Sequence, residues 1–250
     1  MLLDLARKLT GRERTLAGNR LLGMTLAFVA GATNAGAFLA VKQYTSHMTG
    51  ILSTLADSLV LQAWSVALAC VGALLSFLTG AAVCALLVNF GHRRQWRSAF
   101  ATPLLLESVL MLLFGVLGAQ LAHVQGLFVP FTIMLLCFMM GLQNAVITKI
   151  SRSVIRTTHV TGMVTDLGIE LGRLFYVNAS HDGHPPVLAD RVRMRLLASL
   201  LVSFFVGGVA GAIGFQRLGY ATTIPLALTL GALAAVPAFD DLSESWAREA

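Results

Sequence analysis

Six long intervals of the sequence contain almost no charged residues, and they limit the fold more than any other feature. Each has roughly the 20 residues that an α-helix needs to cross about 30 Å of hydrocarbon. Backbone N–H and C=O groups inside a bilayer must be bonded within the protein, which favours helices. The sequence therefore predicts an all-α, polytopic membrane protein with six transmembrane helices, at about 21–41, 63–91, 101–122, 127–148, 196–216 and 219–239.

The overall composition excludes a water-soluble globular domain. Apolar residues make up 56% of the chain and charged residues only 12%, whereas about a quarter of a soluble domain is charged. The mean hydropathy is +0.77. The net charge of +6 does not indicate nucleic-acid binding, because the sequence has no soluble basic face with interleaved aromatic residues.

The sequence offers no pattern of metal ligands. Cys70, Cys84 and Cys137 all lie inside apolar stretches, so we interpret them as packing residues. Neither His47 nor His159 has a cysteine, a glutamate or a second histidine at ligand spacing. We therefore predict no metal site and no cofactor.

Lysine and arginine are concentrated at alternate ends of the six intervals. Cation-poor ends carry only Lys42 after the first interval, no cation in 123–126, and Arg217 before the last interval. Short loops rich in lysine and arginine stay in the cytoplasm. Both termini are therefore predicted to be cytoplasmic, together with the cation-rich stretches, which are the N-terminal tail, 92–97, 149–156 and 191–195.

Two halves of the chain repeat the same order of landmarks. In the first half, Asn34 is followed by T-S-H-M-T-G at 45–50, and in the second half Gln143-Asn144 is followed by T-T-H-V-T-G at 157–162. Later landmarks also pair, with Phe77–Gly80 resembling Phe205–Gly208 and Phe100–Thr102 resembling Tyr220–Thr222. The ordered matches indicate a duplication of one three-helix unit.

An odd number of spans in each unit places the second copy in the opposite orientation across the membrane. The segments 45–61 and 157–176 are too polar for lipid-facing spans and too apolar for ordinary loops, and we predict two short re-entrant helices there, at 49–61 and 161–175. Two inverted three-helix repeats with matched broken helices are typical of secondary transporters. The predicted regions are a cytoplasmic N-terminal tail, two membrane repeats and a cytoplasmic C-terminal tail, at 1–20, 21–125, 127–240 and 241–250 respectively.

The motifs of both halves resemble one known family. The stretch G-x-x-N-A-G at 31–36 with S-H-M-T-G at 46–50, and M-G-L-Q-N-A at 140–145 with T-T-H-V-T-G at 157–162, are similar to the YoaK family of bacterial inner-membrane proteins. The resemblance covers essentially the whole chain after the N-terminal tail. It implies a fold of about six helices and a multi-pass location in the bacterial inner (plasma) membrane, and it implies no particular reaction.

The polar motifs are the candidate solute site. Thr-Gly is suited to a helix start in a membrane, because threonine caps exposed N–H groups and glycine permits close backbone approach. Two such starts that face the midplane would suit a polar or anionic ligand. The alternative is that the motifs only let helices pack closely. The candidate solute-binding residues are Asn34, His47, Thr49, Gly50, Gln143, Asn144, His159, Thr161 and Gly162.

Several of these side chains have two interpretations. The paired histidines would bind a proton in coupled transport, or hydrogen-bond a helix end. The asparagines would contact the solute, or bond the broken backbone next to them. Glu107 and Asp166 are candidates for a proton-coupling acid or for structural contacts.

The sequence favours a secondary transporter or facilitator of a small polar or anionic solute. One alternative is a non-transporting membrane module that stabilises partners or lipids. A membrane-embedded enzyme is less favoured, because no G-x-S-x-G, H-E-x-x-H or comparable motif is present. The predicted partners are the lipid bilayer and a small solute, and the sequence is compatible with a homo-oligomer.

The distribution of cations predicts the result of a C-terminal fusion. A reporter enzyme that is active only outside the cytoplasm should be inactive when fused after Ala250, since six spans return the chain to the cytoplasm. The same reporter fused to a known periplasmic carrier is the positive control. Activity of the Ala250 fusion would contradict the predicted topology.

Overall fold

A computed structural model of the chain describes residues 16–96, 98–121, 125–151, 158–178 and 185–249. Within these ranges every regular element is helical, which confirms the predicted all-α class. The elements are α1 Leu16–Val41, α2 Met48–Val60, α3 Trp64–Arg93, α4 Ala101–Leu121, α5 Gln125–Ile150, α6 Val160–Phe175, α7 Arg191–Leu218, a 3₁₀ turn Gly219–Thr222 and α8 Thr223–Glu249.

The chain is an integral membrane protein. By length and hydropathy, five of the described stretches are able to cross a membrane, and the sequence predicted six. The difference arises because α7, the 3₁₀ turn and α8 follow one another without a gap, so the last two predicted spans are counted as one stretch. The five stretches are Gly18–Val41, Trp64–Arg93, Ala101–Ala119, Val129–Ile150 and the 45-residue stretch Arg191–Ala235.

The two short helices predicted within the polar segments are present as α2 and α6. Helix α2 ends in a turn in which Gln62 has a positive φ of 56°. The Ala63 N–H then donates to the Ser58 carbonyl oxygen at 2.8 Å, which satisfies one of the last carbonyls of the helix. This tight ending lets α3 begin at Trp64, so α2 leads directly into a long apolar helix.

Helix α1 packs closely against α7 through glycines on both helices. A Cβ added to Gly31 would lie 2.1 Å from the carbonyl oxygen of Phe204, and one added to Gly207 would lie 2.0 Å from that of Phe28. Only hydrogen at these positions permits such an approach. Small residues at interfaces are how membrane helices gain packing contacts, since lipid is as apolar as leucine.

Helix α3 packs against α5 in the same way. A Cβ added to Gly80 would lie 2.0 Å from the carbonyl oxygen of Phe138, and one added to Gly141 would lie 2.0 Å from that of Phe77. Gly141 precedes Asn144 by three residues, as Gly31 precedes Asn34. Each close pair therefore joins a helix from one half of the chain to a helix from the other half.

The glycine contacts correct the sequence alignment of these helices by one residue. The comparison of sequences paired Phe77 and Gly80 with Phe205 and Gly208. In the structure the neighbouring residues, Phe204 and Gly207, make the contacts that correspond to those of Phe77 and Gly80. The sequence alone could not choose between two adjacent phenylalanines and two adjacent glycines.

Helices α4 and α8 form a third pair. The Ser108 hydroxyl donates to the Ala227 carbonyl oxygen at 2.7 Å. Gly115 lies beneath Thr223, and Gly118 lies beneath the ring of Tyr220, where an added Cβ would overlap the side chain. These contacts place α8 along the length of α4.

The close approach predicts different effects on stability for two glycine substitutions. Gly207→Ala should lower the free energy of unfolding by about 1–3 kcal/mol, because its methyl group would overlap the Phe28 carbonyl. Gly168→Ala in α6 is the control, since a Cβ there meets nothing within 4 Å. It should be neutral or stabilise by about 0.5–1 kcal/mol. Equal effects in an unfolding titration in detergent would contradict the packing.

Candidate functional site

Helices α2 and α6 begin with the same backbone geometry, each after a histidine. His47 has φ −92° and ψ 71°, and His159 has φ −83° and ψ 59°. The Ile51 N–H donates to the His47 carbonyl at 3.1 Å, and the Met163 N–H donates to that of His159 at 3.0 Å. Neither histidine side chain caps its helix. The first-turn N–H groups of both helices are thus not satisfied by the side chain of the N-cap residue.

Each buried asparagine bonds the hydroxyl group that precedes one of these histidines. The Asn34 amide donates to the Ser46 hydroxyl oxygen at 2.7 Å, and that hydroxyl lies 3.0 Å from the Asn34 Oδ1. The Thr158 hydroxyl donates to the Asn144 Oδ1 at 2.5 Å, and the Asn144 amide donates to the Met140 carbonyl oxygen at 2.8 Å. The asparagines therefore hold the turns before α2 and α6 against α1 and α5.

A cavity of about 1100 Å³ lies at the starts of both short helices. We call it the α1–α7 cavity, because those two helices supply nearly half of the described residues that line it. It brings together six of the candidate residues from the two halves of the chain, which are Asn34, His47, Thr49, His159, Thr161 and Gly162.

Three other candidates do not line this cavity. Gly50 lies under the imidazole of His47, where an added Cβ would be 2.3 Å from the ring. Asn144 is on α5 and holds the turn before α6. Gln143 is fully buried, and within the described chain neither atom of its amide group has a hydrogen-bond partner.

The part of the cavity lining that α7 supplies is apolar, and the sequence reasoning missed it. We call this surface the apolar wall. A lipid-facing phenylalanine and a cavity-facing one look alike in a sequence. The available signal was that the residues of this wall lie in the chain beside the Gly207-Gly208 landmark. The wall consists of Leu201, Phe204, Phe205, Val209 and Ala212 of α7.

The described lining of the cavity contains no aspartate, glutamate, lysine or arginine. A cation nevertheless lies beside it. The Lys42 ammonium group is 5.8 Å from the centroid of the Phe38 ring, and that ring stacks on Tyr44 at 4.8 Å. Both aromatic residues line the cavity. The nearby fixed charge is therefore positive.

The two acidic candidates lie outside the cavity lining. Glu107 on α4 is completely buried, and within the described chain neither carboxyl oxygen has a hydrogen-bond partner. Asp166 on α6 forms an exposed ion pair with Arg193 on α7 at 2.9 Å. The structure therefore does not bring either acid together with the candidate solute residues.

A third acid, Glu170, links α6 to α7, and the sequence reasoning did not single it out. Its carboxylate is buried and accepts hydrogen bonds from the Arg173 guanidinium and the Asp190 N–H, each at 2.9 Å. Asp190 in turn caps α7 by accepting from the N–H groups of Val192 and Arg193. The available signal was a glutamate within a mostly apolar segment, which requires partners when buried.

The bond between Asn144 and Thr158 predicts a loss of stability on a shape-preserving substitution. Thr158→Val should lower the free energy of unfolding by roughly 1 kcal/mol, because it removes the hydroxyl donor from a buried amide oxygen. Thr229→Val is the matched control, since its exposed hydroxyl bonds only the Pro225 carbonyl of its own helix. Equal stability of the two variants would contradict the importance of the bond.

Comparison with known proteins agrees with the motifs and the fold. Residues 22–236 match the family described as "Protein of unknown function (DUF1275)". The chain is also 27% identical over 197 residues to the UPF0700 transmembrane protein YoaK of Bacillus subtilis (strain 168), which covers 78% of this chain and 83% of YoaK. No solved structure matches the chain. The resemblance predicted from the Thr-Gly motifs is thus confirmed, and the protein belongs to the DUF1275 family of membrane proteins.

Proposed function

We propose that the protein is a secondary transporter or facilitator of a small polar or anionic solute, and that the α1–α7 cavity is its solute site. The observation that carries the proposal is that the starts of two short helices, one from each half of the chain, line a single cavity. Discontinuous helices that expose their N-termini beside a cavity are the usual way in which membrane transporters bind polar solutes.

The proposal includes six membrane crossings, made by α1, α3, α4, α5, α7 and α8. Helices α2 and α6 have 13 and 16 residues, so they extend about 20 Å and 24 Å and are too short to cross about 30 Å of hydrocarbon. We place them as re-entrant helices that run from the cavity to opposite membrane faces. The cation-rich stretches assign the end of α6 and both termini to the cytoplasm.

Inverted repeats are supported by equivalent contacts in the two halves. The α1–α7 pair and the α3–α5 pair use glycines at matching positions against carbonyl oxygens at matching positions. Asn34 and Asn144 make matching bonds to the hydroxyls of Ser46 and Thr158. If the two halves are exchanged, the α1–α7 contacts take the place of the α3–α5 contacts, and the Asn34–Ser46 bond takes the place of the Asn144–Thr158 bond. A two-fold relation between the halves requires this equivalence.

In this proposal the candidate residues have different roles. The hydroxyls of Thr49 and Thr161 bind the solute, because both side chains are exposed in the cavity and form no hydrogen bond within the described chain. Asn34 and Asn144 position the helix starts. Asp166 has a structural role in its ion pair with Arg193. That leaves Glu107 as the candidate acid for proton coupling.

Replacement of the cavity hydroxyls should weaken solute binding without loss of folded protein. Thr161→Val and Thr49→Val keep the side-chain shape, and each should reduce affinity roughly fivefold, corresponding to about 1 kcal/mol for one lost hydrogen bond. Binding is measured as thermal stabilisation of the purified protein by a panel of small anionic, neutral and cationic solutes. Flux of the most stabilising solute is then measured in proteoliposomes.

Thr54→Val is the matched control for this experiment. Its hydroxyl is exposed on α2 but bonds the Gly50 carbonyl and lies outside the cavity lining, so binding should be unchanged. Failure of every solute to stabilise the wild-type protein would contradict the proposal. Binding by the two cavity variants equal to that of Thr54→Val would assign the Thr-Gly motifs to helix packing instead.

A further inference from the structure

The lining of the α1–α7 cavity has two chemically different parts. The apolar wall on α7 carries five apolar side chains, and Phe205 among them is 70% exposed, so its ring is free to contact a ligand. Phe77 on α3 extends this surface. The rest of the lining, which we call the polar side, carries hydroxyl, amide and imidazole groups among apolar side chains of α1, α2 and α6. These polar groups belong to Asn34, Ser46, His47, Thr49, Thr158, His159 and Thr161.

The electrostatic environment of the cavity favours a negative charge. Two helix N-termini point their positive dipole ends toward it, and its described lining contains no carboxylate that would balance a cation. Lys42 adds a positive charge next to Phe38 and Tyr44 at the edge of the lining. The positive charges favour a ligand with a negative group. The apolar wall separately favours a ligand with an apolar body.

We infer that the ligand of this cavity is an amphiphilic organic monoanion, in which one carboxylate group is attached to an aromatic or branched apolar body. The carboxylate contacts the polar side at the starts of α2 and α6, and the body covers the apolar wall. This inference rests on the proposed function and names the solute class that the function leaves open.

Other small solutes fit one side of the cavity and not the other. A sugar would place hydroxyl groups against the apolar wall, where they lose hydrogen bonds to water. An inorganic anion would leave the wall, including the exposed ring of Phe205, uncovered. An organic cation would lose its hydration in a cavity whose described lining has no acidic side chain.

Four probes of related structure test the inference on the full-length protein in detergent. Phenylacetate has both the charge and the ring, phenylacetamide has the ring without the charge, benzylamine has a ring with a positive charge, and acetate has the charge alone. Glucose and inorganic phosphate complete the set. We expect phenylacetate to raise the melting temperature most, with acetate, benzylamine and glucose close to the buffer control.

Two pairs of variants locate the bound probe. Phe205→Ala should weaken phenylacetate binding at least roughly tenfold, because it removes a ring from the apolar wall. Phe131→Ala is the control, since Phe131 is similarly exposed on α5 and does not line the cavity. Thr161→Val should weaken the binding of phenylacetate, and Thr54→Val should not.

The possible results separate the solute class from the proposed function. Stabilisation by phenylacetate that Phe205→Ala and Thr161→Val both reduce supports the inference. Stabilisation by glucose, phosphate or benzylamine that only Thr161→Val reduces overturns the solute class and leaves the transporter proposal standing. Equal reduction by Phe205→Ala and Phe131→Ala overturns the assignment to this cavity. Absence of stabilisation by every probe, with the protein folded, overturns both.

Discussion

Close backbone approach at glycine determines how the helices of this protein are arranged. Gly31 and Gly207 bring α1 against α7, and Gly80 and Gly141 bring α3 against α5, in each case with a carbonyl oxygen of the partner where a Cβ would otherwise lie. Lipid supplies no hydrophobic force that would draw these helices together, so their association depends on this packing. Each contact joins the two halves of the chain, which therefore pack as one bundle.

The position of the cavity follows from these helix pairs. Because α1 is held against α7, the end of α1 and the turn before α2 face the apolar surface of α7. The bond between Asn34 and Ser46 fixes that turn, and the start of α6 reaches the same space from the other half of the chain. Most of the polar groups in the lining come from the broken segments, and the contribution of α7 is entirely apolar. The cavity therefore combines an apolar surface on α7 with polar groups at the starts of α2 and α6.

The sequence predicted the elements better than it predicted their contacts. Hydropathy identified the long helices, because lipid exposure requires apolar residues at nearly every position. The repeated T-[ST]-H-x-T-G pattern located α2 and α6, since broken backbone in a membrane needs polar residues. The partner of each helix was not predictable, because several glycines offer similar surfaces. Contacts in the folded structure, such as that of Gly207 with Phe28, fix the register. The apolar wall and the bonded carboxylate of Glu170 also depend on contacts between distant segments.

We propose that α2 and α6 reach one cavity from opposite faces of the membrane, and thiol labelling in intact cells tests this arrangement. Gln62→Cys lies in the exposed turn after α2, and Leu188→Cys lies in the exposed segment before α7. The native Cys70, Cys84 and Cys137 are buried, so the wild type gives the background. A membrane-impermeant maleimide should label Gln62→Cys in intact cells, and Leu188→Cys only after permeabilisation. Labelling of both variants from the same side would contradict the account.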